Sequence, residues 1–119
     1  MLSYRELKVW QKSIELVVEV YRVTKAFPKH ELYGLAGQMQ RSSVSIPSNI
    51  AEGHGLRQSG SYARHLSIAS GSVAELEPQI EISDRLGYLP ASQDLMMRAN
   101  EVGRMLSGLR RSIRERTKS

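Results

Sequence analysis

Apolar residues recur along the chain at steps of three and four positions, the spacing that places side chains on one face of an α-helix. Four segments have this pattern and predict helices over approximately residues 4–26, 31–53, 59–85 and 92–116. Four stripes of similar length with short connections predict an all-α fold, an antiparallel up-and-down four-helix bundle. The stripes are Leu7, Trp10, Ile14, Val17 and Tyr21; Leu32, Leu35, Met39, Ile46 and Ile50; Tyr62, Leu66, Ala69, Val73, Leu76 and Ile80; and Leu95, Ala99, Val102, Leu106, Leu109 and Ile113.

Residues between and within the stripes predict where the helices begin, bend and end. Ser3 and Glu6 have the spacing of a capping box, and Gly53–Gly55 predicts the end of the second helix. Pro47 and Pro78 lie inside predicted helices, where we expect bends because the apolar stripes continue in register beyond them. The predicted caps of the third and fourth helices are Ser59 or Ser61, and Ser92.

The first helix carries a second apolar stripe, on roughly the side opposite to the first. It consists of Val9, Leu16, Val20 and Val23. An outer helix of a bundle cannot bury two opposite stripes equally well, and an exposed apolar patch usually marks an interface. We therefore predict that these four residues form an interface between copies of the chain. The alternative is a first helix that lies deep between two neighbouring helices.

Short polar side chains follow the edge of the second helix's apolar stripe. One interpretation is a small ligand site that uses Arg41, Asn49 and Glu52. The interpretation that we favour is a packing network against the third helix or another subunit, because a satisfied hydrogen-bond network needs no ligand. The residues of this predicted network are Gln38, Arg41, Ser42, Ser45, Asn49 and Glu52, with Glu75 facing them from the third helix.

The net charge of +5 lies entirely on the last segment of the chain. Residues 98–119 hold seven basic and two acidic side chains, whereas the charges of residues 1–97 cancel. Such a surface attracts phosphate, an acidic membrane surface or an acidic protein equally well. Another interpretation is a solvated face whose cations suit the end of the helix dipole. Residues 90–119 contain no aromatic side chain, so we expect backbone contacts with little sequence preference. The predicted nucleic-acid contacts are Arg98, Arg104, Arg110, Arg111, Arg114 and Lys118.

The sequence offers little support for catalysis or for metal binding. Its 119 residues are expected to form one domain. The chain lacks cysteine, so disulfides and thiolate nucleophiles are excluded. The histidines, His30, His54 and His65, do not have the spacing of a metal motif, and no nucleophile elbow or phosphate-binding glycine loop occurs. We expect a protein that is not an enzyme and that holds neither a metal nor a cofactor.

The hydropathy pattern also bears on location. No apolar run reaches membrane-spanning length, and the amphipathic N-terminus differs from a signal peptide. We expect a cytoplasmic protein without a membrane partner.

The order and spacing of several motifs over residues 3–90 resemble a known family. They are similar to those of the small four-helix-bundle proteins first noticed as reading frames in intervening sequences of bacterial 23S ribosomal RNA genes. Two departures from the family pattern are Pro78 and the pair Leu56-Arg57, where the arginine usually follows the glycine directly. The matching segments are residues 4–12, 27–35, 41–42, 45–53, 69–72, 75–76 and 87–89, together with Gln38.

The resemblance implies a bundle that assembles into a ring-like homopentamer. It also implies kinship with the accessory variability determinant proteins of diversity-generating retroelements, which are similar pentamers with a basic surface for nucleic acid. From this resemblance and the charge we expect an oligomeric, non-catalytic adaptor for RNA or DNA. The alternative is a scaffold with an unidentified protein partner and no nucleic-acid role.

Overall fold

The computed structural model describes residues 3–56 and 58–118, with the backbone alone for residues 117 and 118. Four α-helices follow one another: α1 (Lys8–Thr24), α2 (Leu35–Leu56), α3 (Ser59–Arg85) and α4 (Ser92–Lys118). Short 3₁₀ turns at Tyr4–Glu6 and Lys29–Glu31 precede α1 and α2.

The helices form a closed ring of four in chain order. Each helix packs against the next, and α1 also contacts α4. Because the connections are short, consecutive helices run antiparallel. The predicted all-α, antiparallel up-and-down four-helix bundle is confirmed. Within residues 3–56 and 58–118, no helix is both long and apolar enough to cross a membrane.

The core of the bundle receives apolar side chains from all four helices. The largest fully buried ones are Leu16, Val20, Met39, Ile46, Ile50, Leu66, Leu76, Ile80, Leu95, Val102 and Leu106. Most of them belong to the predicted apolar stripes of α2, α3 and α4. The hydrophobic effect therefore accounts for the placement of these three helices.

Helix α1 presents the opposite face from the one that its apolar pattern predicts. Leu16 and Val20 are 0% exposed and Val9 is 5% exposed, while Val23 packs half-buried against the core. The predicted oligomer interface of Val9, Leu16, Val20 and Val23 is therefore wrong, because these side chains are occupied inside the bundle. Tyr21, from the stripe predicted to be buried, is 42% exposed.

Two polar residues on the buried face of α1 make that face less apolar than a core-facing stripe usually is. Ser13 and Thr24 complete that face. The Ser13 hydroxyl donates to the carbonyl of Trp10 at 2.7 Å, and the Thr24 hydroxyl donates to that of Val20 at 2.8 Å. Hydroxyls that are satisfied within their own helix can be buried at low cost, so the core-facing stripe contains fewer apolar residues than the other stripe, which is mostly half-buried.

The start of α1 differs slightly from the prediction. The capping box between Ser3 and Glu6 is present, but it closes the first 3₁₀ turn. Leu7 is extended, with φ −73° and ψ 126°, so α1 begins at Lys8. The first of the four predicted helices is accordingly shorter at both ends than residues 4–26.

The junction of α2 and α3 shows why glycine occupies position 53. Helix α2 continues past it to Leu56, so the predicted helix end at Gly53–Gly55 is wrong. A Cβ atom at position 53 would lie 2.7 Å from Cβ of His65 and 3.1 Å from Cδ1 of Tyr62. The glycine therefore permits α3 to approach α2 closely. The residue before α3 is Gln58, which makes no side-chain cap, so neither Ser59 nor Ser61 caps that helix.

Both internal prolines lie within continuous helices. Pro47 is inside α2 and Pro78 is inside α3, as their apolar periodicity predicts. Near Pro47, the side chains of Ser48 and Asn49 bond to the carbonyls of Val44 and Ser45, both at 2.8 Å. Helix α2 thus continues past Pro47, although the proline lacks the N–H for one backbone hydrogen bond.

Glu31 joins the two loops at one end of the bundle. Its Oε1 accepts from the backbone N–H of Leu35 at 3.0 Å, and its Oε2 accepts from the hydroxyl of Tyr88 at 3.2 Å. The bond from Leu35, and to a smaller extent that from Tyr88, lowers the pKa of Glu31. Gly87, with φ +79°, adopts the left-handed conformation that reverses the chain after α3. The bond between Glu31 and Tyr88 therefore holds the α1–α2 loop beside the α3–α4 loop.

Candidate nucleic-acid interface and interhelical polar network

Hydrogen bonds between α2 and α3 involve much of the predicted polar stripe. The Ser72 hydroxyl donates to Oγ of Ser45 at 2.7 Å, and the Ser42 hydroxyl donates to Oε2 of Glu75 at 3.4 Å. Within α2, the Asn49 amide donates to the carbonyl of Ser45 at 2.8 Å. The two interhelical bonds hold α2 and α3 in one register.

His65 belongs to the same network, although the sequence analysis did not include it. Its Nδ1 lies 2.9 Å from Oδ1 of Asn49, and its Nε2 lies 3.2 Å from Oε2 of Glu52. The Asn49 amide nitrogen donates to Ser45, so its oxygen faces the imidazole. The sequence does contain one indication of His65: it lies seven positions before Ser72, so the two side chains share one face of α3 to within about 20°.

A second histidine lies beside this network. Nδ1 of His54 is 3.2 Å from the hydroxyl of Tyr62, and the two rings meet edge to face. Burial raises the pKa of the Tyr62 hydroxyl, so it is a protonated donor at neutral pH. Within residues 3–56 and 58–116, no group of three or more His, Asp or Glu side chains is placed to hold a metal ion.

The remaining residues of the predicted stripe, Gln38 and Arg41, are exposed at the edge of the network. They line a cleft of about 260 Å³ together with Ser42, Ser45, Ser72, Glu75 and Gln79. The stripe thus has a hydrogen-bonded part between two helices and an open part at its rim. The polar side chains of this stripe are suited to hydrogen bonding and to the packing of α2 on α3.

The predicted nucleic-acid residues of α4 fall into two sets. Arg98 donates to Oδ2 of Asp94 at 3.0 Å and lies 3.9 Å from Oε1 of Glu15. The bond to Asp94 raises the pKa of Arg98. Arg98 thus has acidic partners on the surface of its own chain, so its charge is partly offset before any ligand binds.

The other arginines lie farther along α4. Arg104, Arg111 and Arg114 are exposed, and Arg110 is half-buried. Arg104 and Arg110 line a groove between α3 and α4. The side chain of Lys118 lies outside the described residues, as does Arg57 of the α2–α3 junction.

Apolar side chains are exposed on two adjacent helices. On α1, Val18 is 62% exposed and Tyr21 42%; on α2, Val44 is 39% exposed. Ile14 and Val17 of α1 are half-buried. An apolar surface of this kind favours contact with another protein, and it replaces the predicted stripe as the candidate interface of α1.

Comparisons with known proteins agree with this architecture. A family model described as 23S rRNA-intervening sequence protein matches residues 5–108. The fold is similar to the crystal structure of a protein of unknown function from the S23 ribosomal protein family of Bacteroides thetaiotaomicron, with a TM-score of 0.79 and 22% sequence identity. That match covers 87% of this chain and 95% of the other. A comparison with curated proteins finds no match.

Proposed function

The chain belongs to the family of 23S rRNA-intervening sequence proteins, and on this premise we propose that it is a non-catalytic homo-oligomer that binds nucleic acid. The assembly is a pentamer, as the resemblance of its sequence implies, and it functions in the cytoplasm. RNA or DNA binds through the basic surface of α4 with little sequence preference.

The observation that carries this proposal is that several arginines of α4 have no acidic partner among the described residues. Arg22 and Arg98 bond to acidic side chains of the protein. By contrast, Arg104, Arg110 and Arg111 of α4 form no ion pair within the described part of the chain. Unpaired cations that repeat along one helix, and again on every subunit of an oligomer, create a positive potential that attracts a polyanion.

The composition of α4 supports contacts to phosphate and not to bases. Residues 90–119 contain no Phe, Tyr or Trp on which a base could stack. Contacts to the backbone fix position without reading sequence. The affinity should therefore fall steeply as salt increases, because bound counterions are released from the nucleic acid.

Charge reversal on α4 tests the proposal. We expect the double variant Arg104→Glu/Arg111→Glu to bind a fluorescein-labelled oligonucleotide at least about tenfold more weakly at low salt, while its oligomeric mass stays unchanged. Lys29→Glu is the control, because Lys29 lies in the loop at the Glu31–Tyr88 end of the bundle. Equal affinity of the double variant and the wild type would remove α4 as the binding surface.

The exposed apolar side chains favour a second candidate function, a scaffold that binds a protein partner through α1. Val18 and Tyr21 are the residues concerned. A scaffold of this kind binds its partner equally well after Arg104→Glu/Arg111→Glu, whereas a polar residue at Val18 weakens every contact made through this face, self-association included. The two candidate functions are thus separated by whether charge reversal on α4 abolishes binding.

A further inference from the structure

We propose that the groove between α3 and α4 seats one phosphodiester group of a nucleic-acid backbone, between the guanidinium groups of Arg104 and Arg110. This inference rests on the proposed nucleic-acid binding and specifies the place on the protein where a phosphate is held. Arg104 and Arg110 are then distinguished from arginines that contribute only to the general positive potential.

The groove has a volume of about 380 Å³ and is lined by both helices. Its two arginines come from α4, six positions apart, which corresponds to about 9 Å along a helix. Ser107 of α4 lies between them in sequence. The other lining residues are Ser70, Val73, Ala74 and Glu77 of α3, with Asn100 and Gly103 of α4. Small side chains thus leave space between two long cationic ones.

The single acidic residue among the lining side chains lies away from the proposed phosphate. A Cβ on Gly103 would be 3.4 Å from Cγ1 of Val73, so these residues are at one level of the antiparallel pair. Ser70 is therefore on the Arg110 side of that level, and Glu77 is on the opposite side. Seven positions separate Glu77 from Ser70, which is about 10 Å along α3.

The hydroxyl of Ser70 lies beside the groove and is not committed to another group in the described part of the protein. Its Oγ is buried and has no hydrogen-bond partner among the described residues. Other helical serines of this protein, such as Ser13, Ser43 and Ser83, donate to a carbonyl of their own helix. A change of χ1 rotamer can turn the Ser70 hydroxyl to an anion in the groove without breaking an existing bond.

Phosphate fits the donors of this groove better than an uncharged ligand does. The planar guanidinium presents paired N–H groups that match the oxygens of phosphate. Arg104 and Arg110 are free of ion pairs within the described residues, so neither must leave an acidic partner to bind. The exposed hydroxyl of Ser107 supplies a neutral donor between the two cations, and that of Ser70 supplies another after its change of rotamer.

Two adjacent arginines provide a matched test. Arg110 lines the groove, whereas Arg111, one position along α4, does not and is exposed. Fluorescence anisotropy of labelled oligothymidine would be measured over a series of salt concentrations. We expect Arg110→Gln to weaken binding about tenfold and to reduce the salt slope by about one, and Arg111→Gln to weaken it only about twofold.

A substitution that changes no charge tests the groove itself. Ala74 is exposed and lines the groove, so Ala74→Leu should fill it while α3 stays folded, as circular dichroism would verify. We expect this variant to bind oligothymidine at least about fivefold more weakly, since a seated phosphate contact is lost. Ala26→Leu, at an exposed position after α1, is the control that should leave affinity unchanged.

The outcomes distinguish this inference from the proposed function. Equal weakening by Arg110→Gln and Arg111→Gln, with no effect of Ala74→Leu, would overturn the groove and leave nucleic-acid binding intact. Absence of any oligothymidine or duplex binding by the wild type at low salt would overturn both. Competition by polyglutamate as effective as that by unlabelled oligothymidine would show that the groove takes carboxylates, which also contradicts the phosphate assignment.

Discussion

The amide oxygen of Asn49 lies 2.9 Å from Nδ1 of His65, so a side chain of α2 holds a buried imidazole of α3. If the polar stripe is a packing network, Asn49→Ala leaves Nδ1 of His65 without its hydrogen-bond partner and should destabilise the protein by about 1–3 kcal/mol. Urea denaturation followed by circular dichroism measures the change in the free energy of unfolding.

Ser48→Ala is the matched control for Asn49→Ala. It also removes a side-chain bond to the backbone of α2, but Ser48 is exposed and contacts its own helix. We expect its effect to be within about 0.5 kcal/mol. A stable Asn49→Ala protein would contradict the packing role and restore the interpretation of this stripe as a ligand site.

Two glycines near the end of α2 should respond in opposite directions to alanine. At Gly53 the new Cβ would lie 2.7 Å from Cβ of His65, so Gly53→Ala must push α3 away and should cost about 1–3 kcal/mol. At Gly55 nothing lies within 4 Å, so Gly55→Ala should be neutral or stabilise by up to about 1 kcal/mol. Thermal denaturation of both variants checks the prediction, and equal effects would contradict the close helix approach.

Substitutions on the two faces of α1 should separate folding from assembly. Leu16 is fully buried, and Leu16→Ala should destabilise the bundle by about 2–5 kcal/mol. Val18 is 62% exposed, so Val18→Ser should change the stability of the subunit by less than about 0.5 kcal/mol but weaken self-association. Urea denaturation and light scattering measure the two effects. An unchanged oligomeric mass for Val18→Ser would exclude this face of α1 from the interface.

Glu31 should make stability depend on acidity. Its folded-state pKa is lowered from the ordinary value of 4.5, mainly by the backbone N–H of Leu35. The associated stability is therefore fully present above the unfolded-state pKa and is lost as the pH falls through the lowered folded-state pKa. Glu31→Gln should be less stable than the wild type at neutral pH, with a difference that shrinks in acid.

Tyr88→Phe is the control for this pH dependence. It removes the bond from the Tyr88 hydroxyl, which is the smaller cause of the lowered pKa of Glu31, and it leaves the bond from Leu35 in place. Most of the acid sensitivity should therefore persist in Tyr88→Phe. A Glu31→Gln protein that keeps the full wild-type loss of stability in acid would show that other groups are responsible.

The architecture of the bundle was predictable because the apolar periodicity of α2, α3 and α4 is unambiguous. The orientation of α1 was not, since two stripes compete and the buried one includes Ser13 and Thr24. A pattern of hydrophobicity does not indicate that a hydroxyl is satisfied by its own helix. Gly53 has a related ambiguity, because in a sequence a glycine that ends a helix looks the same as one that permits close packing.

The polar residues of α2 could be recognised as a group, but their partners could not. Ser72 and His65 of α3 became identifiable only once the antiparallel register of the two helices was known. In the same way, the charge of α4 indicated a basic surface without showing that Arg98 is bound to Asp94 and Glu15. Ion pairs between distant segments depend on tertiary structure, which local spacing does not specify.

The most direct measurement is light scattering coupled to size exclusion, with and without labelled single-stranded and duplex oligonucleotides, at low and at physiological salt. The account predicts a particle of pentamer mass that binds an oligonucleotide at low salt and releases it as the salt increases. An oligomer that ignores both oligonucleotides at low salt would contradict nucleic-acid binding and favour the protein scaffold. A monomer would contradict the proposed assembly itself.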